Sequence, residues 1–202
     1  MAISTYSDLK TLTANYLARS DLTDQIADFI QLSEIRLQRD LRLRQMLTTA
    51  DLSVSSASVS LPSDFLELRE IHLDTATIGQ LDYLAPTAFF RNARINDAGQ
   101  PVFYTMTGTK FDFAPSPDTT YTAKILYYAK PDLLSDSNTS NVFLSDAPDC
   151  LLYGALAEAE PYLMNDQRIT VWAAMYDRSK AALNAADDRS EFAGNPMTMT
   201  VS

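Results

Sequence analysis

Along residues 21–46 the apolar positions recur at helical intervals. Ile26, Phe29, Ile30, Ser33, Leu37 and Leu41 follow the i, i+3, i+4, i+7 spacing, which puts small or apolar side chains on one face. No Gly or Pro interrupts the stretch, so it predicts the longest helix of the chain, Asp21 to Met46. Thr23 and Asp24 are candidate N-caps. Asp24 and Asp28 suit a helix N-terminus, and Arg39, Arg42 and Arg44 suit its C-terminus. Residues 5–18 show the same period: Tyr6, Leu9, Leu12 or Thr13, Tyr16 and Leu17 form one face, with Ser4, Thr5 or Ser7 as cap. The break at Arg19–Asp21 is short, which predicts an αα-hairpin.

Beyond Met46 the period drops to two. Leu52, Val54, Val59 and Leu61, set among Thr and Ser, predict half-buried antiparallel strands with a turn at 55–58. Leu66, Leu68, Ile71 and Leu73 alternate with a phase change near Glu70 that predicts a bulge. Residues 75–84 predict a short strand with a turn at Gly79, and Pro86 opens a short helix over 85–91. A hairpin follows, with strands 102–106 and 110–114 and a turn at Thr107-Gly108. Residues 120–130 are a strand rich in β-branched and aromatic residues, and 131–141 a polar loop.

Ser145 or Asp146 caps the next predicted helix, with Leu151, Leu152, Ala155, Leu156 and Ala159 as its buried stripe. Pro161 and Asn165-Asp166 interrupt or end it. The last helix spans 167–186, with Ile169, Trp172, Ala173, Tyr176 and Leu183 inward. From Asp187 onward periodicity is absent, and the tail 187–202 is expected to be mobile unless bound. The fold class is therefore α+β: a helical bundle from both chain ends (5–46 and 145–186) with an antiparallel β-rich insertion at 47–130, as a single domain over 1–186. The absence of βαβ alternation argues against a doubly wound parallel sheet.

Charge changes the picture more than composition does. The chain of 202 residues is 46% apolar, enough for a real core. It has no apolar run long enough for a membrane span and no N-terminal pattern of a signal peptide. The net charge is −10, with a pI near 4.4. A nucleic-acid binder is normally basic, because counterion release drives that binding. An acidic chain repels DNA on average, which is useful only to a wall past which DNA slides. Cys150 is the one cysteine, so no internal disulfide is expected and synthesis in a reducing cytoplasm is.

The candidate chemistry is sparse. His72, the only histidine, shares a strand face with Glu70 and Asp74, but lacks the partners of a metal site. Cys150 has no second histidine to serve as base and reads as a buried thiol. The paired acids Glu67/Glu70, Glu158/Glu160 and Asp187/Asp188 come without the Trp-rich character of a sugar cleft. No nucleotide, zinc or cofactor motif appears, so no catalytic, cofactor or metal residue is assigned. Arg36, Arg39, Arg42 and Arg44 form the dense basic cluster. They read either as a solvated helix end or as an interface clamping carboxylates of a neighbour, with DNA contact third. The aromatics of the β-rich middle read mostly as core.

The order of pieces resembles a known family. The helix pattern carried by Asp28, Phe29, Ile30, Leu32, Glu34, Arg36, Leu37, Arg39, Asp40, Leu41 and Arg42 is one mark, and the turn LPSDFLELR, Leu61 to Arg69, is the second. Together with the closing helices and tail, the chain resembles the head-to-tail adaptor (connector) proteins of short-tailed bacteriophages. That resemblance implies a non-enzymatic virion protein made in the host cytoplasm. It implies a ring, usually of twelve copies, that joins the portal protein to a tail or nozzle protein. DNA would pass through its channel without specific binding, with no membrane involved. On this reading Arg36, Arg39, Arg42 and Arg44, together with Phe192, Met197 and Met199 of the tail, are the candidate interface residues. The alternatives are another ring-forming tail-completion or nozzle protein, or a monomeric binding module.

Overall fold

The computed structural model describes residues 3–75, 79–92, 98–164 and 168–192. It is α+β and divides into two compact units, Met1–Met46 with Pro131–Ser202, and Leu47–Lys130.

In the first unit, helix α1 spans Tyr6–Leu17. Thr5 caps it: its hydroxyl accepts from the Asp8 N–H, and the Asp8 carboxylate accepts from the Thr5 N–H. The helix stops on Ala18 in the left-handed region, φ 52°. Helix α2 spans Thr23–Asp40. It is shorter than its period predicts, and neither Thr23 nor Asp24 caps it; the N-cap is Leu22, a buried residue held there by packing. The early stop has a simple cause. Leu41 and Leu43 are both fully buried, two residues apart. A helix would turn them about 200° from each other, whereas an extended backbone with a side chain between them points both inward. Leu41 accordingly sits at φ −113°, ψ 145°, and a 3-10 turn follows at Arg44–Met46.

Two closing helices replace the single one predicted near residue 145. Asn141, not Ser145 or Asp146, caps the short α4, Val142–Asp146. The next helix then begins at Pro148, whose missing N–H costs nothing in a first turn. This helix, α5, runs Pro148–Leu163, and Pro161 lies within its last turn. Asn165 and Asp166 fall outside the described residues. Helix α6 runs Ile169–Phe192, six residues past its predicted end. Helix α5 is buried on most sides, through Cys150, Leu151, Leu152, Gly154, Ala155, Leu156, Ala159 and Glu160. At its crossing with α2 the backbones approach closely: a Cβ on Gly154 would stand 2.0 Å from the Ser33 hydroxyl oxygen. That is why a serine occupies the middle of the apolar stripe of α2.

Among its described residues the second unit contains eight strands and one helix. They are β1 Leu47–Val54, β2 Ser58–Ser60, β3 Phe65–Leu73, β4 Gly79–Gln80, β5 Asp82–Tyr83, α3 Pro86–Asn92, β6 Phe103–Thr107, β7 Lys110–Ala114 and β8 Tyr121–Ala129. They form two sheets, ordered β1-β8-β3-β4 and β2-β7-β6-β5. Val54, Ile71, Leu73, Ala123, Ile125 and Tyr127 of the first share one core with Phe111 and Phe113 of the second. The register of β3 slips between Leu68 and Glu70, so the predicted bulge is present, with a second between Phe65 and Glu67. Three expectations are corrected. The strands flanking residues 55–58 enter different sheets. Pairing is not wholly antiparallel, since β5 lies parallel to β6. Gly79 is in a strand rather than a turn; a Cβ there would meet the Leu73 Cβ at 2.8 Å.

Candidate assembly surfaces

The four arginines leave the helix end in different directions. Arg36 donates from Nη1 to Glu158 Oε1 at 3.4 Å, and its guanidinium lies 4.7 Å from the centre of the Tyr176 ring. Arg42 folds back, donating from Nη1 to the Leu41 carbonyl at 2.7 Å and the Gln38 carbonyl at 3.1 Å. It thereby satisfies carbonyls that the end of α2 leaves open. Arg44 is exposed, and its backbone N–H donates to the Asp187 carboxylate at 3.1 Å. Arg39 is exposed and has no ion-pair partner among the described residues. The backbone of Phe192 closes α6, while Met197 and Met199 lie outside the described residues.

Sequence reasoning missed a buried carboxylate that organises one side of the first unit. Glu34 on α2 has no exposed surface. Its oxygens accept from the Leu134 N–H at 3.1 Å and from Asn141 Nδ2 at 2.7 Å. Asn141 in turn caps α4, and its neighbour Asn138 donates to the carbonyls of Asp132 and Leu133. Glu34 therefore holds the whole 131–141 loop. Burial raises its pKa to about 7, against the opposing effect of those two donors. A second buried acid, Glu160 on α5, accepts from Trp172 Nε1 at 3.0 Å and pairs with Arg168 Nε at 3.3 Å.

The other candidates are structural in their surroundings. Cys150 is fully buried, and burial pushes its thiol up to about 12, so it is not a thiolate at neutral pH. His72 is half-buried, with Nδ1 3.9 Å from Glu70 Oε1. Across the outer face of the first sheet, Asp51, Lys124, His72 and Gln80 stand in one row. Lys124 Nζ pairs with Asp74 at 2.9 Å. Asp51, Glu70 and Asp74 around that lysine leave the row acidic. Among the described residues no three His, Cys, Asp or Glu side chains group as a metal site, and no helix is long and apolar enough to cross a membrane.

Large apolar side chains are exposed on several helices, among them Tyr16 on α1, Phe90 on α3 and Tyr162 on α5, and α2 and α6 each expose two. Leu32 and Ile35 on α2, and Val171 and Met175 on α6, face solvent. The signal was available: Leu32 and Ile35 fall on the opposite side of α2 from the buried stripe. The model of the family described as the SU10 adaptor protein matches residues 4–200. No curated protein matches the chain.

Proposed function

Because the chain belongs to the SU10 adaptor protein family, and so is a phage adaptor and a component of the virion, we propose that it assembles as a closed ring, of about twelve copies, between the portal and the tail. In this reading residues 1–186 act as one adaptor domain, with the helices of both chain ends as its bundle and the β-rich middle inserted between them. The ring extends the DNA channel and carries out no catalysis. The family match over nearly the whole chain carries the proposal.

The physical features agree with that role. The net charge of −10 disfavours adhesion to phosphates, and the acidic row around Lys124 is a surface past which DNA slides. Closed rings need two different complementary faces on each copy, and exposed apolar residues lie on two different helices. Arg39, exposed and without an ion-pair partner among the described residues, is a contact for an acidic neighbour. Phe192, Met197 and Met199 are assigned to docking on the portal or a tail protein.

The test is mass photometry of the purified chain, alone and mixed with the portal protein of its phage. A ring that forms on or binds to the portal is the expected result. A ring that ignores the portal would move the chain to tail completion or a nozzle. A monomer under both conditions would end the ring reading.

A further inference from the structure

The two exposed helix faces match each other in charge and spacing. On α2, Asp24, Asp28, Leu32, Ile35 and Arg39 are exposed and recur about once per turn, opposite the buried Ile30, Ser33 and Leu37. On α6 the buried anchor is Tyr176, and the opposite side carries Val171, Ala174, Arg178, Ala182 and Ala185, all exposed. Leu32 is 49% exposed, Ile35 37%, Val171 48% and Met175 40%. Side chains of this size standing in water on adjacent turns mark a contact surface more than scattered surface residues do. Neither Asp28 nor Arg178 has an ion-pair partner among the described residues.

We infer that the contact between neighbouring copies is made by the outward face of α2 on one copy against the outward face of α6 on the next, with Asp28 paired to Arg178. This rests on the ring reading above. Ile35 lies seven residues from Asp28, and Val171 seven from Arg178, which is about 10 Å along each helix. An antiparallel crossing that pairs the two charges therefore sets Ile35 on Val171 and Leu32 level with Ala174, beside Met175. Shallow depressions flank the α6 side: one lined by Val171, Ala174, Met175 and Arg178, another between α5 and α6 lined by Tyr153, Met175 and Ala182 among others. The exposed alanines allow the helices to approach closely. The two faces differ, so the contact repeats head to tail and can close into a ring. A contact between two α2 faces would be two-fold and would stop at a dimer.

Charge reversal tests the pairing. Asp28→Arg and Arg178→Asp chains are each purified and assayed by native mass spectrometry, alone and with the phage's portal protein present. Each places like charges across every contact, and the concentration needed for assembly should rise about tenfold or more. The thermal midpoint of each should stay unchanged, since both sites are exposed. An equimolar mixture of the two should assemble again, because alternating copies restore Asp opposite Arg at every contact. Wild type that assembles while both variants also assemble normally overturns the contact and leaves the ring reading standing. Loss of assembly with Asp28→Arg alone points to an α2–α2 contact and also overturns it. Wild type that never assembles, with or without portal, defeats the ring reading and the contact together.

Discussion

Helices α5 and α6 are neighbours in the same unit and use alanine in opposite ways. Ala155 and Ala159 of α5 are fully buried, where the absence of a long side chain lets other helices close in. Ala174, Ala181, Ala182, Ala185 and Ala186 of α6 are exposed, and Tyr176 is the one fully buried residue of that helix among those described. A helix apolar on every side must be enclosed, and one anchored by a single ring keeps most of its surface for something else. The first arrangement holds the fold, and the second offers a face. Composition does not separate them.

Substitutions can break this contrast, beginning with the most damaging. Gly154→Leu puts a side chain where a Cβ alone would meet the Ser33 hydroxyl oxygen at 2.0 Å. It should cost about 3 kcal/mol or more through overpacking, read as a large drop in the urea midpoint. A midpoint shifted by less than about 1 kcal/mol would mean that the α2–α5 crossing yields easily. By contrast, Arg178→Asp on α6 should change assembly and leave unfolding within about 0.5 kcal/mol.

The buried side of α2 gives a pH-dependent test. The folded state keeps the Glu34 proton up to about 7, whereas the unfolded chain releases it near the ordinary glutamate value of about 4.3. Between these values the folded state binds more protons. Glu34's stabilising share is complete below about pH 4.3 and is lost as the pH rises to about 7. The loss is on the order of 4 kcal/mol at most. In Glu34→Gln, urea midpoints measured from pH 4.5 to 7.5 should fall less steeply than in wild type. Parallel curves would show that desolvation does not control this carboxyl.

The smallest effect concerns the anchor of α6. The Tyr176 hydroxyl is buried without a hydrogen-bond partner among the described residues, and burial lifts its pKa to about 12. Tyr176→Phe removes an unsatisfied donor and keeps the ring under Arg36. It should be neutral or stabilising by up to about 1 kcal/mol. A clear loss of stability in thermal unfolding would show that the hydroxyl has a partner.

Much of this molecule is readable from local pattern. The cap at Thr5, the face of α2 through Leu37, the short helix after Pro86, the hairpin around Gly108 and the bulge before Glu70 all depend on neighbours within a few residues. What local pattern misreads shares one cause. The end of α2 at Asp40 goes with the full burial of both Leu41 and Leu43, which a helical period does not report. The cap at Asn141 depends on Glu34, more than a hundred residues earlier. The arginine cluster is dense in sequence, but its members point to Glu158, to the end of α2 and to solvent, because the helix stops at Asp40 and leaves Arg42 and Arg44 beyond its face.

The class of the protein, α+β and acidic, is legible in the chain alone. Periodicity and net charge are properties of the chain alone, and these follow from them. Folding places β8, last in order, centrally between β1 and β3, and sends β1 and β2 into different sheets. It also decides which apolar residues stay outside. Sheet order and exposure depend on which distant surfaces meet, and many arrangements of the same amphipathic pieces satisfy the same local pattern.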